Sequence, residues 1–306
     1  LFDSYFNDFG KKTADFYKLT RLDPGYRIYF NEKEYLDVSE NLDTLKEKFE
    51  KIESGSGQSL QNYLDDAGEK YRVAVEKFIY KPSLSALEFM ELDLLKRLGR
   101  LNLFKPISKH IREYFKDPRL IKLLEFPSLL LGAKPSNTPA LYSIMNYADL
   151  SLGTWHPNGG IRAIATGLYQ NALDHNVEFL FNHPVSKIET KNDIVDHILV
   201  HDKKINCDIV VGGADYHHIE NHLMDEKNRN YNDNYWDKRT LSPSSLLFYL
   251  GINKELDIPH HALFFDTDFD KHAEEIYDKP QWPKNPLFYV SGTSKTDINV
   301  APNGSE

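Results

Sequence analysis

Near residue 172 the hydrophobic period of the chain changes, and that change constrains the fold more than any other feature. Before it, charged and leucine-rich stretches carry apolar residues at three- and four-residue spacing, the period of amphipathic helices. Behind it come short β-branched and aromatic runs separated by polar turns, such as VSKIET (185–190) and IVDHILV (194–200). A helical front and a strand-rich back in one chain predict a mixed α/β or α+β fold.

The front half reads as follows. Phe2 to Leu19 mixes aromatic and charged residues and predicts a helix. YRIYF (26–30) and EYLDV (34–38) flank Asn31-Glu32-Lys33 and predict a hairpin. Residues 41–53 predict a charged helix, which Gly55-Ser56-Gly57 breaks, and a second helix runs to about Tyr80. Leucine-rich helix follows Ser83, is interrupted at Pro106 and Pro118, and ends by Pro127 and Pro135. In the back half, strands are expected at 177–181, 185–190, 194–200, 207–213, 246–252, 262–266 and 287–292, with a helix at 214–224.

Composition narrows the function classes. The 306 residues are 41% hydrophobic and carry a net charge of −9. No run approaches the roughly 18 apolar residues of a spanning helix. Cys207 is the sole cysteine, so no disulfide joins two parts of the chain, and a zinc-thiolate or iron–sulfur site is not expected. That usage suits a reducing compartment, and no signal peptide is visible. The charge is uneven. Between Lys96 and Lys122 stand nine basic residues against only Glu113 and Asp117. A basic island in an acidic chain asks for an anionic partner. Nucleic acid calls for a more basic protein overall. A membrane surface fits better, because Leu101, Phe104, Ile107, Ile111 and Phe115 interleave with the charges. The other reading of the island is a solvated helix face over an ordinary buried stripe.

Few local motifs carry chemistry. Gly55-Ser56-Gly57 lacks a third glycine and follows a charged helix, so it reads as an interhelix turn rather than a phosphate loop. The pairs His217-His218 and His260-His261 have no HExxH beside them, and neighbouring side chains point apart. They read as polar surface histidines, and no metal site is expected. No GxSxG elbow is present. One stretch stands out: Thr154-Trp155-His156-Pro157-Asn158-Gly159-Gly160, followed by helical spacing from Ile161 to Ala172. Two bare glycines at a helix start either admit a ligand to the backbone or simply make a tight turn with positive φ.

A series of stretches together resembles the bacterial phytoene desaturases and their carotenoid-desaturase relatives, which are FAD-containing, amine-oxidase-like flavoproteins. They are RLDPGYRIYF (21–30), TPALYSIMNYADLSLGTWHPNGGI (138–161), PVSKIET (184–190) with CDIVVGGADYHH (207–218), SSLLFYLGI (244–252) and FYVSGTSKTDINVAP (288–302). They stand in family order over nearly the whole chain. The family's opening strand–GxGxxG–helix unit and its last flavin-contacting segment have no counterpart in these residues. The chain is therefore expected to be an internal piece that holds FAD poorly and is inactive by itself.

The resemblance implies a two-domain FAD-dependent oxidoreductase. Residues 1–152 fall in a helical, mixed-sheet region for substrate and membrane contact. Residues 153–224 belong to an incomplete Rossmann-like FAD domain. Residues 225–306 return to the substrate domain and begin the final FAD segment. It implies FAD contacts at Trp155, Pro157, Gly159 and Gly160, where the family's chain re-enters the FAD domain. Val185 matches a position whose backbone meets the adenine end, and Ala214 and Asp215 match a turn that closes a FAD-domain strand. His156 stands where the family usually has another aromatic, often Tyr, and is either a proton acceptor or a spacer. Asp149 is the acidic candidate near the substrate, against a surface or capping role. The implied reaction is desaturation of a C40-type precursor such as phytoene, with a hydride passing from an allylic carbon to flavin and a proton lost. A carotenoid isomerase or a later-step desaturase of the same family is the alternative, and a non-catalytic binder of apolar lipid is the alternative from another class. The partners implied are a hydrophobic polyene and, through 96–122, a membrane surface; the location implied is cytoplasmic, at the inner face of the cell membrane.

Overall fold

Three short strands open the computed structural model: β1 (Leu19–Arg21), β2 (Tyr26–Tyr29) and β3 (Tyr35–Val38). The described residues are 1–75, 79, 84–85, 104–130, 132–239 and 244–306. Strands β2 and β3 form the expected hairpin, in antiparallel register from Tyr26↔Val38 to Tyr29↔Tyr35. Their alternation puts Tyr26, Ile28, Leu36 and Val38 in the core. The first helix covers only Phe2–Asp8 of the expected 2–19, because the backbone turns left-handed at Gly10, with φ 69°.

The next two helices follow the sequence closely. Leu42–Ile52 starts at Asn41, whose side chain accepts from the Thr44 N–H at 3.0 Å. Ser56–Val73 follows at once. Gly55 between them has φ 83°, and the Glu50 carboxylate accepts from the Gly55 and Gly57 N–H groups at 2.7 and 3.1 Å. The Gly-Ser-Gly stretch is thus an interhelix turn, as its sequence context predicts. Leu45, Phe49, Leu60, Tyr63 and Leu64 face one core with Ile107, Ile111, Phe115, Leu120 and Leu124. The last five belong to the helices Ile107–Ile111 and Pro118–Leu130 and the loop between them. Contrary to expectation, the latter helix runs through Pro127. Burial of Leu123 and Leu124 against the core offsets the hydrogen bond that proline lacks.

Residues 154–157 then supply β4 (Trp155–Pro157), antiparallel to β1 with Thr20 opposite His156. The helix Ile161–Asp174 follows. Beyond it lie β5 (Val185–Lys191), β6 (Ile194–Val200) and β7 (Lys203–Asn206), an antiparallel meander. Its two-residue turns, Asn192-Asp193 and His201-Asp202, have positive φ at both positions, the hand that matches strand twist. The chain closes with β8 (His261–Phe264) and β9 (Phe288–Ser291), which extend the first hairpin into a sheet of order β3-β2-β8-β9. The β2–β8 pair is parallel, with Arg27↔Ala262 and Tyr29↔Phe264 in register. Two compact units result: Leu1–Tyr169 with Pro243–Glu306, and Gln170–Ser242.

Three expected strands are not strands. Residues 177–181, 207–213 and 246–252 carry no ladder among the described residues. Leu246 to Leu250 are 62–93% exposed, and Ile209 and Val211 are exposed as well. Apolar content marks these runs as strand-like, but a strand forms only where a neighbouring strand accepts its N–H and C=O groups. The helix expected at 214–224 is reduced to Tyr216–His218 and one wider turn over Ile219–Leu223.

The histidine pairs divide. His217 and His218 are exposed, as expected. His260 and His261 are not surface residues: His260 is 4% exposed and His261 half-buried, because they lead into an inner strand of the four-stranded sheet. Burial pushes both imidazoles down to about 4, helped at His260 by the neighbouring His261 and His156 and at His261 by His156.

Phe49 is fully buried and packs edge-on against Phe115 at 5.8 Å. Phe49→Ala is expected to destabilise the fold by about 3–5 kcal/mol, read by denaturant unfolding. The histidines set a pH dependence. Their folded values lie below the ordinary 6.5, so the unfolded chain binds more protons between about pH 6.5 and 4, and stability falls as pH falls through that window. The melting temperature should drop from pH 7.5 to pH 5, and the drop should shrink in His260→Gln.

Candidate functional site

The candidate site is the turn from Thr154 to Gly160 and what grips it. Pairing with β1 fixes the side chains of β4: Trp155 is 50% exposed, while His156 and Pro157 are buried. Arg21, opposite Trp155, lies 5.8 Å from its ring and pairs with Glu40 at 3.2 Å. The Asn158 side chain accepts from the Thr20 hydroxyl at 2.7 Å, and its N–H donates to the Lys18 carbonyl at 2.9 Å. The entry to the turn is therefore held along its whole length by residues 18–21.

At its exit the backbone is bare. Gly159 and Gly160 have φ 87° and 74°, values that favour glycine, so the tight-turn reading of these residues holds. A side chain at Gly160 would meet nothing within 4 Å among the described residues, so the surface there is open. The helix Ile161–Asp174 starts at this point, and a first helical turn offers N–H groups without intrahelical acceptors. Open backbone at a helix start suits the polar edge of a flavin, so the residues present fit the group that the resemblance implies.

Two carboxylates stand close in the fold to this turn, in opposite environments. Asp149 is partly buried and accepts from the Tyr26 hydroxyl at 2.6 Å and the Thr154 hydroxyl at 3.2 Å. Burial pushes its carboxyl above the usual range, against those two hydrogen bonds. Asp149 is thus neither a surface group nor a helix cap; it ties β2 to the residue that opens the turn. Asp297 is buried too, but its Oδ2 accepts from the Gly159 N–H at 2.6 Å and its Oδ1 from the Asn299 N–H at 3.1 Å. Those two N–H groups hold its carboxyl below the usual range.

His156 points inward. Its ring lies 4.5 Å from that of His260, and its buried Nε2 has no hydrogen-bond partner among the described residues. His260 Nδ1 lies 2.7 Å from the Thr296 hydroxyl, and His261 Nδ1 lies 2.6 Å from the Tyr289 hydroxyl. No group of His, Cys, Asp or Glu among the described residues has the geometry to hold a metal ion.

The fold brings Asp149, Trp155, His156, Pro157, Gly159 and Gly160 together in the first unit. Val185, Ala214 and Asp215 lie in the second. Val185 opens β5 opposite Val200. Ala214 and Asp215 are exposed, and the Asp215 carboxylate accepts from the His218 N–H at 2.9 Å, capping the short helix behind it. Since 207–213 is not a strand here, Ala214 and Asp215 do not close one. Sequence reading missed Asp297, Thr296 and the role of His260. Asp297 reaches Gly159 across 138 residues, and no local pattern marks that contact.

Part of the basic island, Lys96, Arg97 and Arg100, lies outside the described residues. Of the rest, Lys105 pairs with Glu113, Arg112 with Glu125, and Arg119 with Asp117 and Glu34. Lys122 donates to the Phe265 and Thr267 carbonyls at 3.2 and 3.0 Å. Ile107, Ile111, Phe115 and Leu120 belong to the core, while Phe104 is 99% exposed. Over 105–122 this matches the solvated face over a buried stripe. No helix among the described residues is long and apolar enough to cross a membrane.

Residues 3–237 match the family of flavin containing amine oxidoreductases. A carotenoid 3,4-desaturase of Haloarcula japonica is 35% identical over 306 residues, 99% of this chain and 62% of the relative. A zeta-carotene-forming phytoene desaturase of Myxococcus xanthus is 25% identical over 100% of this chain and 59% of its own length. A 4,4'-diapophytoene desaturase of Staphylococcus haemolyticus is 29% identical over 99% and 61%. The chain thus spans about three-fifths of the length of these relatives. A solved oxidoreductase of Methanosarcina mazei, at 16% identity and a TM-score of 0.37 over 63% of this chain and 40% of the other, is too distant to carry an argument. The chain belongs to the flavin containing amine oxidoreductase family, and these relatives are carotenoid desaturases.

Proposed function

We propose that the protein to which this chain belongs is an FAD-dependent desaturase of a C40-type carotenoid precursor such as phytoene. The observation that carries the reading is the likeness to carotenoid desaturases along the whole chain, and the open glycine turn at 159–160 agrees with it. When bound, the flavin supplies the acceptor for a hydride from an allylic carbon. The chain's residues do the rest. Gly159 and Gly160 give the cofactor close approach to backbone, with Trp155 and Pro157 stiffening the strand that leads there. Val185, Ala214 and Asp215 are proposed contacts for the adenine side. A long hydrocarbon offers no polar handle, so its recognition rests on shape and apolar burial. For the proton, His156 has a buried Nε2 without a partner among the described residues, whereas both Asp149 oxygens already accept hydrogen bonds. His156 is therefore the better holder, and Asp149 the better brace.

A second reading has an observation of its own. The Haloarcula relative, at 35% identity, is named for a 3,4-desaturation, which favours a later-step substrate that is already coloured. Docking at an anionic membrane surface from the cytoplasmic side, through 96–122, is proposed for either reading, since both substrates dissolve in lipid.

The test is the full-length protein with FAD and phytoene in liposomes, followed by visible spectroscopy. Structured absorbance moving stepwise to longer wavelength supports the first reading. Change only with coloured carotenes supports the second, and change with neither leaves a lipid binder. Gly160→Val should lower the flavin content of the purified full-length protein several-fold, because a branched side chain is strained at φ 74° and covers the open backbone. Lys109→Gln with Lys116→Gln should weaken sedimentation with anionic liposomes in a salt-sensitive way.

A further inference from the structure

We propose that Asp297 is the positioning residue of the glycine turn, setting its backbone for the flavin and biasing the flavin's reduction by its charge. The inference rests on the flavin reading above and adds a residue and a role to it. Two adjacent residues grip both ends of the turn. The Thr296 hydroxyl lies 2.7 Å from His260 Nδ1, and the His260 ring packs 4.5 Å from His156 at the turn's entry. Asp297 Oδ2 accepts from the Gly159 N–H at 2.6 Å at its exit. The stretch that carries them is itself fixed: the Thr293 carbonyl accepts from the Asp297 N–H at 2.9 Å, and Asp297 Oδ1 accepts from the Asn299 N–H at 3.1 Å.

The chemistry of the contact is specific. Gly159 and Gly160 are the least restrained residues of the turn, and both sit at positive φ. A carboxylate on the Gly159 N–H restrains them with a charge-assisted hydrogen bond, stronger than an amide or a water would make. It does so from the inner side, leaving the Gly160 face open. It also fixes a negative charge beside the helix start, where a flavin accepting electrons gains charge. That charge opposes reduction, so it lowers the midpoint potential of the bound cofactor. His156, on β4, is a titratable group close enough to bear on Asp297.

The experiment uses the full-length protein, with flavin affinity read by fluorescence titration and midpoint potential by dye-coupled reduction. Asp297→Ala removes both acceptor and charge and should weaken FAD binding about tenfold or more. Asp297→Asn keeps an acceptor oxygen, so affinity should return to within about threefold of wild type, while loss of the charge raises the potential. A merely structural aspartate would not move the potential of a folded, flavin-loaded Asn variant. Wild-type affinity in the Ala variant, or wild-type potential in the Asn variant, overturns the proposal. If the Ala variant does not fold, the Asn potential decides. A wild-type protein that binds no flavin overturns the desaturase reading, and this inference with it.

Discussion

The parallel pairing of β2 with β8 is the constraint on which the rest of the first unit depends. It joins residues 27–29 to 262–264, and no short connection can make a parallel pair. Once it forms, everything tied to β8 arrives beside the early hairpin. His260 precedes β8 and packs against His156, while Thr296 and Asp297 follow β9, Thr296 bonding His260 and Asp297 reaching the glycine turn. The core of Tyr26, Ile28, Leu36, Val38 and Leu263, backed by the helices Leu42–Ile52 and Ser56–Val73, holds that arrangement in place.

Within this frame the same side chain takes different roles by its surroundings. Asp149 and Asp297 are both shielded carboxylates. Asp149 receives two hydroxyls and sits high; Asp297 receives two backbone N–H groups and sits low. Asp149 ties Tyr26 of β2 to Thr154 at the start of the turn, while Asp297 holds the glycine backbone at its end. The histidines at 260 and 261 are held neutral by burial, which keeps a second charge away from that carboxylate at neutral pH.

The basic island shows how little a charge count says about a surface. Arg112 and Arg119 are engaged by carboxylates from other parts of the chain or from their own loop, and Lys122 closes two carbonyls beside the sheet. The apolar residues between them are core residues for the same reason that they repeat at helical spacing. An amphipathic stripe states that one face is to be covered. It does not say whether lipid or protein covers it.

Local chemistry determined the hairpin at 26–38, the two helices around Gly55, and the β5–β6 ladder, because caps, positive-φ turns and periodicity act within a few residues. The same local logic placed the bare glycines at the start of the Ile161–Asp174 helix. Only the tertiary structure decided that VEFLF, CDIVVGG and LLFYLGI are not strands, since a ladder needs a partner that the segment does not contain. It likewise decided that His260 is buried, and that Asp297 belongs to a turn 138 residues away. Hydrogen bonds and burial between distant segments depend on where the whole chain comes to rest, and no window of sequence carries that information.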